Sequence, residues 1–464
     1  MTDLSIPTRR TEERSRRAAI VARLGGRGPA LAFAAVLALA LALRIGVLLG
    51  TPHFAPATDA LDFDRHGVSL ARQHRYPSTL LAAGGGPTAF RPPGYPAFLG
   101  AVYAVSGTGH AGTRWQAARA AQVVLGLAVV ALVGLIVALV WDRRTALVAV
   151  GLAAVYPPLL LAGSSLISEA LFLPLELAAV AAALALRRSP QPLAWALAAG
   201  ALAGLAALTR SNGIVLLLAL AIAAWPSRRL TGGRGWAPAA ALIAAALVVI
   251  APWSVRNVHE FHAFVPISTQ DGFAFAGTYS DIARHDRRAP GAWRPPIAVP
   301  AYARIIATPG LDEEQVDRRL RSASLRYAER HPAYLAAVAG HNLPRMLNLE
   351  GVGYERQAAA DLGIARPLSD ASVYGFWVVL ALAAAGLATQ AARRAPWFLW
   401  LVPVLMTLSI LFVSALTRYR LPADPFLLLA AALALVAAHD RARGRRAPAA
   451  SPAGTAARRP PAER

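Results

Sequence analysis

The chain has 464 residues, of which 56% are hydrophobic and 16% are charged. A soluble domain carries roughly 25% charged residues, so the composition argues against an ordinary soluble protein and favours one embedded in a bilayer. The formal net charge is +22, but the arginines stand between apolar blocks, which argues against binding of nucleic acid. The sequence has no cysteine, which excludes disulfides and thiol catalysis.

Apolar blocks along the chain predict about ten membrane-spanning helices, because roughly 18–20 apolar residues are enough to cross the hydrocarbon core. The first span follows a basic tail and is too long for the core of a signal peptide, so we expect a retained signal anchor. The sequence therefore predicts an all-α polytopic membrane protein with short helices in its loops. The spans start near Ala30, Ala117, Thr145, Ser168, Leu193, Asn212, Trp236, Ser372, Ala395 and Leu421.

Arginine pairs in alternate loops predict the orientation, because short loops rich in basic residues stay in the cytoplasm. One orientation of the chain in the plasma membrane places every pair and both termini in the cytoplasm. It leaves a first loop, 51–115, and a long loop, 255–371, on the outer side. The pairs are Arg143-Arg144, Arg187-Arg188, Arg228-Arg229 and Arg393-Arg394, and the C-terminal tail adds Arg441 and Arg443.

These features divide the chain into a basic cytoplasmic tail (1–29), a transmembrane domain (30–440) and a second cytoplasmic tail (441–464). Both tails are rich in Arg, Ala and Pro, a composition typical of disorder. In the long loop we expect a helix from about Asp312 to His331, because acids fill its first turn, where the helix dipole favours them. A second helix, Tyr334 to Leu349, is expected on the membrane surface.

The orientation rule does not explain the arginines near outer helix ends. They occur in the strings FRPPGYP, LTRSNG, PWSVRN and TRYRLPADP. Arginine offers phosphate a planar fork of donors, so these side chains fit a lipid phosphate; alternatively, each extends to lipid headgroups without further function. The residues are Arg91, Arg210, Arg256, Arg418 and Arg420.

Acidic residues accompany them. Asp59, Asp62 and Asp64 follow the first span, where a carboxylate can act as a general base or ligate a divalent cation; alternatively, Asp59 caps the next helix and the others are solvated. Glu169 stands at the outer end of the fourth span, where it faces either water or a functional site. Deeper in the spans, Arg44 and Glu176 are positioned to balance each other's charge.

The histidines show no recognised metal spacing, so no metal-binding residue is predicted. No cofactor is firmly indicated, although a divalent cation near Asp62 and Asp64 stays open.

The order of the motifs from about Arg44 to Ala438 resembles the GT-C class of membrane glycosyltransferases. The resembling group is the family-39-like one, with the protein O-mannosyltransferases and the aminoarabinose–lipid A transferase. The resemblance rests on Asp59 with GVSLARQ, then FRPPGYPAFLGAVY, SEALF, LTRSNG, PWSVRN with STQDGFAFAGTY, and RYRLPADP.

The resemblance implies transfer of a sugar from a polyprenyl-phosphate donor to a glycan, lipid or protein acceptor on the outer face, usually with inversion. It implies that Asp59 is the catalytic base, with arginines stabilising the charge of the leaving phosphate. Membrane lipids are the remaining expected partners, and nucleic acid is not one. The predicted substrate-binding residues are Asp62, Arg91, Tyr95, Glu169, Arg210, Arg256, Asn257, Arg418, Tyr419 and Arg420.

One departure concerns the acceptor. Protein O-mannosyltransferases often carry two adjacent acids in the first loop, but here Ala60 follows Asp59, so either Asp62 takes the second role or the acceptor is handled differently. The long outer loop is also too short for a large extra domain, and we therefore do not expect protein O-mannosylation. A transporter or lipid flippase is the alternative function and would use ionisable residues near the midplane, of which Arg44 and Glu176 are examples. A non-catalytic subunit of a cell-envelope complex is a further alternative and would not depend on Asp59.

Overall fold

The computed structural model describes residues 27–225, 235–360, 363–414 and 416–444. Within these ranges the chain forms α-helices and short 3-10 helices and no β-strand, which confirms the predicted all-α class. The N-terminal tail, Arg228-Arg229 and the tail beyond residue 444 lie outside the described residues. The predicted domain boundaries and the location of both termini therefore stay predictions.

The first half of the described chain consists mainly of apolar helices, and its first loop carries one amphipathic helix, Thr58–Gln73, and one apolar helix, Gly94–Ser106. In chain order these are α1 (Arg27–Leu49), α2 (Thr58–Gln73), α3 (Gly94–Ser106), α4 (Ala111–Val140), α5 (Arg143–Val155), α6 (Pro157–Ala162), α7 (Glu169–Leu186), α8 (Pro192–Thr209), a 3-10 helix (Ser211–Ile214), α9 (Val215–Ala224) and α10 (Ala237–Phe261).

The second half begins with the long loop and ends with three membrane segments. Its helices are α11 (Asp271–Thr278), α12 (Asp281–Arg284), a 3-10 helix (Pro296–Ala298), α13 (Pro300–Ile306), α14 (Glu313–Arg330), α15 (Pro332–Met346), α16 (Val352–Ala360), α17 (Arg366–Leu387), α18 (Gln390–Arg393), α19 (Phe398–Leu411), a 3-10 helix (Thr417–Arg420) and α20 (Asp424–Gly444).

Each predicted span corresponds to a helical segment, and the protein is a multi-pass membrane protein. Seven helices in the described residues are long and apolar enough to cross a bilayer, namely α1, α4, α7, α8, α10, α17 and α20. The predicted sixth and ninth spans are shorter apolar helices. The predicted eighth span begins earlier than expected, at Arg366.

The predicted third span is broken into α5 and α6. Proline at 157 and 158 cannot continue a helix from the preceding turn, and Tyr156 takes an extended conformation between the two helices. The segment 163–168 after α6 then enters the bundle without helical hydrogen bonds of its own, with Ser165 fully buried. Backbone oxygens are thus available to side chains inside the membrane region.

Small residues set the packing of the bundle, as expected where helices associate in lipid. The centre of the bundle is built largely from Ala, Leu and Val of α4 to α8, α19 and α20. A Cβ atom on Gly200 would overlap the carbonyl of Leu242, and one on Gly386 would overlap that of Ala430. These two glycines therefore allow α8 to touch α10 and α17 to touch α20.

Three of the loops that carry arginine pairs lie within the described residues and meet at one end of the bundle, where the Arg187 guanidinium lies 5.9 Å from the ring of Phe398. Arg144 forms an exposed ion pair with Asp440 at 2.5 Å, and the Trp141 indole donates to the carbonyl of Ala391. Arg187 lies at the opposite end of α7 from Glu169, which places them about 27 Å apart at 1.5 Å per residue. The pairs in these three loops thus lie at the end of the bundle away from Glu169.

A buried ion pair anchors the start of α20. Arg420 donates from Nε to Asp424 at 2.9 Å, Tyr156 donates to the other oxygen of Asp424 at 2.9 Å, and the Arg420 guanidinium lies over the ring of Phe376. Asp424 is fully buried. The pair ties the broken third span and α17 to the last membrane helix.

We predict that Asp424→Asn destabilises the folded protein by about 3–5 kcal/mol, because it leaves a buried guanidinium without its counter-charge. A clear fall in the apparent Tm of the purified protein in detergent would show this. Asp440→Asn is the matched control, because it removes an exposed ion pair of the same kind, and pairs of that kind contribute little. Equal melting of both variants and the wild type would contradict the prediction.

Candidate active site

Asp59 lies in the first turn of α2, immediately after the first membrane helix. The helix begins after Ala57, so Asp59 is not the capping residue that the sequence left as an alternative. Thr58 beside it has φ of 45°, a left-handed conformation that is rare for a β-branched residue. Backbone strain of this kind concentrates at functional sites.

Two arginines from distant parts of the chain hold the Asp59 carboxylate. Arg91 donates to Oδ1 at 2.7 Å, and Arg418 donates to Oδ2. Arg91 also donates from Nε to Asp62 at 2.7 Å. The side chains of Arg91 and Arg418 are 9% and 8% exposed, whereas that of Asp59 is 31% exposed, so the carboxylate is the accessible member of the cluster.

The charges of the cluster fix its protonation. Burial alone would raise the pKa of the Asp59 carboxyl, but the charges of Arg91 and Arg418 outweigh it and hold that pKa well below its usual range. The pKa of Asp62 is likewise held low, against burial, by His66 and Arg91. At neutral pH both carboxyl groups are therefore ionised, and they face the guanidinium groups of Arg91 and Arg418, with Arg65 also pairing with Asp62 at 3.2 Å.

A second ion pair adjoins this cluster. Glu169 is fully buried in the first turn of α7, and Arg210 approaches it at 2.6 Å. Tyr419 connects the two pairs, because the Arg210 guanidinium lies 5.3 Å from its ring and that of Arg418 lies 4.9 Å from it. The structure thus brings Glu169, Arg210 and Tyr419 to the Asp59 cluster, as the sequence predicts.

Arg256 lies one contact away from the cluster. Its Nη1 donates to the carbonyl of Thr88 at 2.9 Å, and its guanidinium lies 5.8 Å from the ring of Tyr76, whose hydroxyl donates to the carbonyl of Arg91. Asn257 is fully buried, and its amide donates to Val265 at 3.0 Å. Its Oδ1 accepts from Arg256 Nη1 at 3.1 Å, so Asn257 fixes both the loop after α10 and the Arg256 side chain.

Tyr95 is also placed below the site. Its side chain is fully buried, its hydroxyl donates to Gln122 at 2.5 Å, and its ring packs edge-on against Phe63 at 4.9 Å. Phe63 in turn lies under the Arg91 guanidinium, at 4.6 Å. Tyr95 thus supports Arg91 from beneath.

Three sequence-based interpretations are corrected. Arg420 points away from Asp59 into the buried pair with Asp424. Asp64 is 3% exposed and accepts two hydrogen bonds from Arg114, so it is not solvated. Arg44 and Glu176 do not balance each other, because the hydrogen bonds of Arg44 within the described residues go to backbone oxygens.

The sequence predicts Glu313 as one of the acids in the first turn of a helix but does not indicate its tertiary contacts. This carboxylate is fully buried at the start of α14 and accepts hydrogen bonds from Thr79, Thr88, Thr269 and the backbone N–H of Ala89. It joins the long loop to the first loop at Thr88 and Ala89. Ala89 lies two residues before Arg91, and the carbonyl of Thr88 accepts the hydrogen bond from Arg256. The capping box of Asp312 that begins α14 confirms the predicted helix.

The carboxylate oxygens of Asp59 and Asp62 face arginines. Within the described ranges, no three His, Asp or Glu side chains gather as a metal site would require. A divalent cation near Asp62 and Asp64 stays a prediction.

Comparison with known families and structures bears on this geometry. Residues 90–255 match the family described as dolichyl-phosphate-mannose-protein mannosyltransferase. A comparison with curated protein sequences gives no match. The matched segment runs from Phe90 to Val255 and therefore includes Arg91, Glu169 and Arg210.

Solved structures share the fold. The apo oligosaccharyltransferase of Archaeoglobus fulgidus matches with a TM-score of 0.55 at 14% identity, over 89% of this chain and 51% of that one. The same organism's oligosaccharyltransferase AglB, in complex with an inhibitory peptide and a dolichol-phosphate, matches with a TM-score of 0.53 at 13% identity, over 91% and 52%. The chain thus spans about half the length of these structures.

ArnT from Cupriavidus metallidurans, bound to undecaprenyl phosphate, matches with a TM-score of 0.39 at 16% identity, over 91% of this chain and 80% of that one. The family match and the oligosaccharyltransferase structures together confirm the resemblance to GT-C membrane glycosyltransferases. The fold that positions Asp59 is similar to that of these oligosaccharyltransferase structures.

We predict that Glu313→Gln loosens the segment that carries Arg91. The amide that replaces one carboxylate oxygen presents N–H groups to donors, so hydrogen bonds from buried threonines are lost. Hydrogen–deuterium exchange at residues 86–91 should become faster in this variant. Glu314→Gln is the control, since Glu314 faces Arg318 on the surface of the same helix; equal exchange in both variants would contradict the role of Glu313.

Proposed function

We propose that this protein is a glycosyltransferase that moves a sugar from a polyprenyl-phosphate donor to an acceptor hydroxyl on the outer side of the plasma membrane. The observation that carries the proposal is the accessible Asp59 carboxylate held between two buried arginines. It lies at the end of the bundle opposite the arginine pairs, in a chain with a GT-C fold. The family match, whose description names a dolichyl-phosphate-mannose donor, supports the class of donor.

In this reaction the acceptor oxygen attacks the anomeric carbon while the bond from that carbon to the phosphate oxygen breaks. Asp59 takes the proton of the acceptor hydroxyl as a general base. The electron pair of the broken bond leaves on the polyprenyl phosphate, and fixed positive charge near it stabilises the transition state. Attack opposite the leaving group inverts the anomeric centre.

The low pKa of Asp59 has a consequence for this mechanism. A carboxylate that is fully paired with two guanidinium groups is a weak base, because the proton must displace those charges. A donor phosphate near Arg91 and Arg418 would compete for the same N–H groups and weaken their hold on Asp59. The pKa of Asp59 would then rise toward its usual range only when donor is bound, so that the base becomes effective with substrate in place.

The surrounding residues fit supporting roles. Arg256 carries a guanidinium 27% exposed next to the Arg91 segment and can extend the positive surface along the lipid phosphate. Arg210, paired with Glu169 and stacked on Tyr419, orients the Arg418 side of the site.

One structural feature, the burial of Ala60, bears on which class of acceptor the protein uses. Ala60, at the position where protein O-mannosyltransferases often carry a second acid, is fully buried against α3 and the segment after α6. A charged side chain could not stand there without disturbing this packing. Asp62, which binds Arg91, is the second acid that faces the site, so we propose an acceptor handled differently from a protein hydroxyl in those enzymes.

We predict that Asp59→Asn lowers sugar transfer by about 100- to 10,000-fold, the range typical for removal of a general base. Proteoliposomes with the purified protein would receive radiolabelled polyprenyl-phosphate mannose, glucose or arabinose together with a membrane extract as acceptor source. Binding of the donor should persist in this variant, because Arg91 and Arg418 remain and lose their competing carboxylate.

Asp370→Asn is the matched control, because Asp370 forms a comparable two-bond pair with Arg356 on the exposed surface. It should transfer at the wild-type rate. Wild-type transfer by Asp59→Asn would remove Asp59 from the mechanism. Failure of the wild-type protein to consume any of the donors would overturn the proposed function.

A further inference from the structure

Two arginines inside the membrane helices have only neutral partners in the described part of the chain. Arg44 on α1 is 5% exposed and Arg119 on α4 is 1% exposed. Arg44 donates to the carbonyls of Ala40 and Ala154, and Arg119 donates to Thr51 and Gln116. Arg44 Nη2 and Arg119 Nε are buried without any hydrogen-bond partner.

Burial of two positively charged guanidinium groups costs free energy unless an anion neutralises their charge. An ionisable residue within a membrane helix marks a functional site by default, and buried charges are ordinarily paired. The other buried arginines among the described residues follow that rule, since each contacts a carboxylate: Arg91, Arg345, Arg418 and Arg420.

Both side chains line one cavity between α1, α4 and the segment around α6. The free space between the side chains is about 10 Å³, room for one water-sized group such as a single phosphate oxygen. Gln122, Gly163 and Ser164 form its polar wall, and Val47, Leu48, Val123 and Leu160 form its apolar wall. It continues past Arg44 toward Gly126, where a Cβ atom would lie 2.6 Å from the Arg44 Nε; the missing side chain leaves room for the guanidinium.

The position of the cavity favours a lipid as its occupant. Most of α1 is exposed on the surface of the bundle, and Leu49 at its end is 71% exposed. Arg44 lies five residues before that end, a depth of about 7.5 Å along the helix, which is slightly nearer the end of the helix than its middle. An apolar wall beside two cations at that depth matches the junction between a lipid phosphate and its acyl chains.

We propose that this cavity binds the phosphate group of an anionic membrane lipid, with Arg44 and Arg119 as the two cationic ligands. The unpartnered N–H groups of both residues would donate to the phosphate oxygens, as arginine forks commonly do.

The cavity is separate from the Asp59 site. Gln122 and Tyr95, joined by their hydrogen bond, stand between the two, and Gln122 also donates to the carbonyls of Gly163 and Ser165. The lipid site therefore does not depend on the proposed function, and its failure would leave the transfer proposal intact.

Native mass spectrometry and thermal melting of the delipidated protein would test this site. We expect phosphatidylglycerol to bind and to raise the apparent Tm, and diacylglycerol, which lacks the phosphate, to do neither. Arg44→Gln and Arg119→Gln should each weaken phosphatidylglycerol binding at least about tenfold, which corresponds to about 1.4 kcal/mol. Arg393→Gln, at an exposed position on the opposite end of the bundle, should bind as the wild type does.

Two further measurements keep the test decisive. Without lipid, Arg44→Gln should melt no lower than the wild type, because it removes an incompletely compensated charge; a purely structural arginine would give a lower Tm. Gly126→Ala keeps both charges but displaces Arg44, and should also weaken binding.

Two results would overturn the proposal. One is undiminished phosphatidylglycerol binding in Arg44→Gln, Arg119→Gln and Gly126→Ala. The other is inorganic phosphate binding as tightly as phosphatidylglycerol, which would show a site for free anions and not for a lipid.

Discussion

The contact of Asp59 with Arg91 and Arg418 is the interaction on which the site depends. It joins the first loop to the segment before the last membrane helix, 359 residues apart along the chain. The two arginines are buried and the carboxylate is accessible, so the cluster presents its negative charge outward over fixed positive charge. A phosphate that enters such a site meets donors already oriented, which reduces the reorganisation that catalysis would otherwise require.

The partners of the buried charged side chains distinguish those that hold helices together from those at candidate functional sites. Asp424 with Arg420, and Asp64 with Arg114, are closed pairs whose hydrogen bonds hold helices together. The Asp59 cluster is also paired, yet it is partly open to solvent. Arg44 and Arg119 have no carboxylate at all among the described residues, which is why they are assigned to a ligand from the membrane.

Much of the fold follows from the sequence, because long apolar blocks can be satisfied only as membrane helices. The acids and arginines near helix ends were also identifiable, and Glu169, Arg210 and Arg418 lie at the site. The sequence could not separate Arg418 from Arg420. Residues two apart in a 3-10 helix, with about three residues per turn, point to different sides, and only the packing shows which side faces Asp59.

Helix geometry also explains why the acids of the first loop have different partners. Asp62 and Asp64 are two residues apart on α2, so they lie on opposite faces, one toward Arg91 and the other toward Arg114. Glu313 could not be recognised, since the three threonines that bind it lie 44 to 234 residues away. Contacts at that separation follow from tertiary structure and not from local pattern.

A double-mutant cycle between Asp59 and Arg418, measured on the rate of sugar transfer, tests the central claim most directly. If the two residues act as one unit, Asp59→Asn combined with Arg418→Gln should be about as slow as the slower single variant, as is usual for groups that share one catalytic function. Losses that add in free energy would show that the two side chains act independently. That result would contradict an active site built on their ion pair.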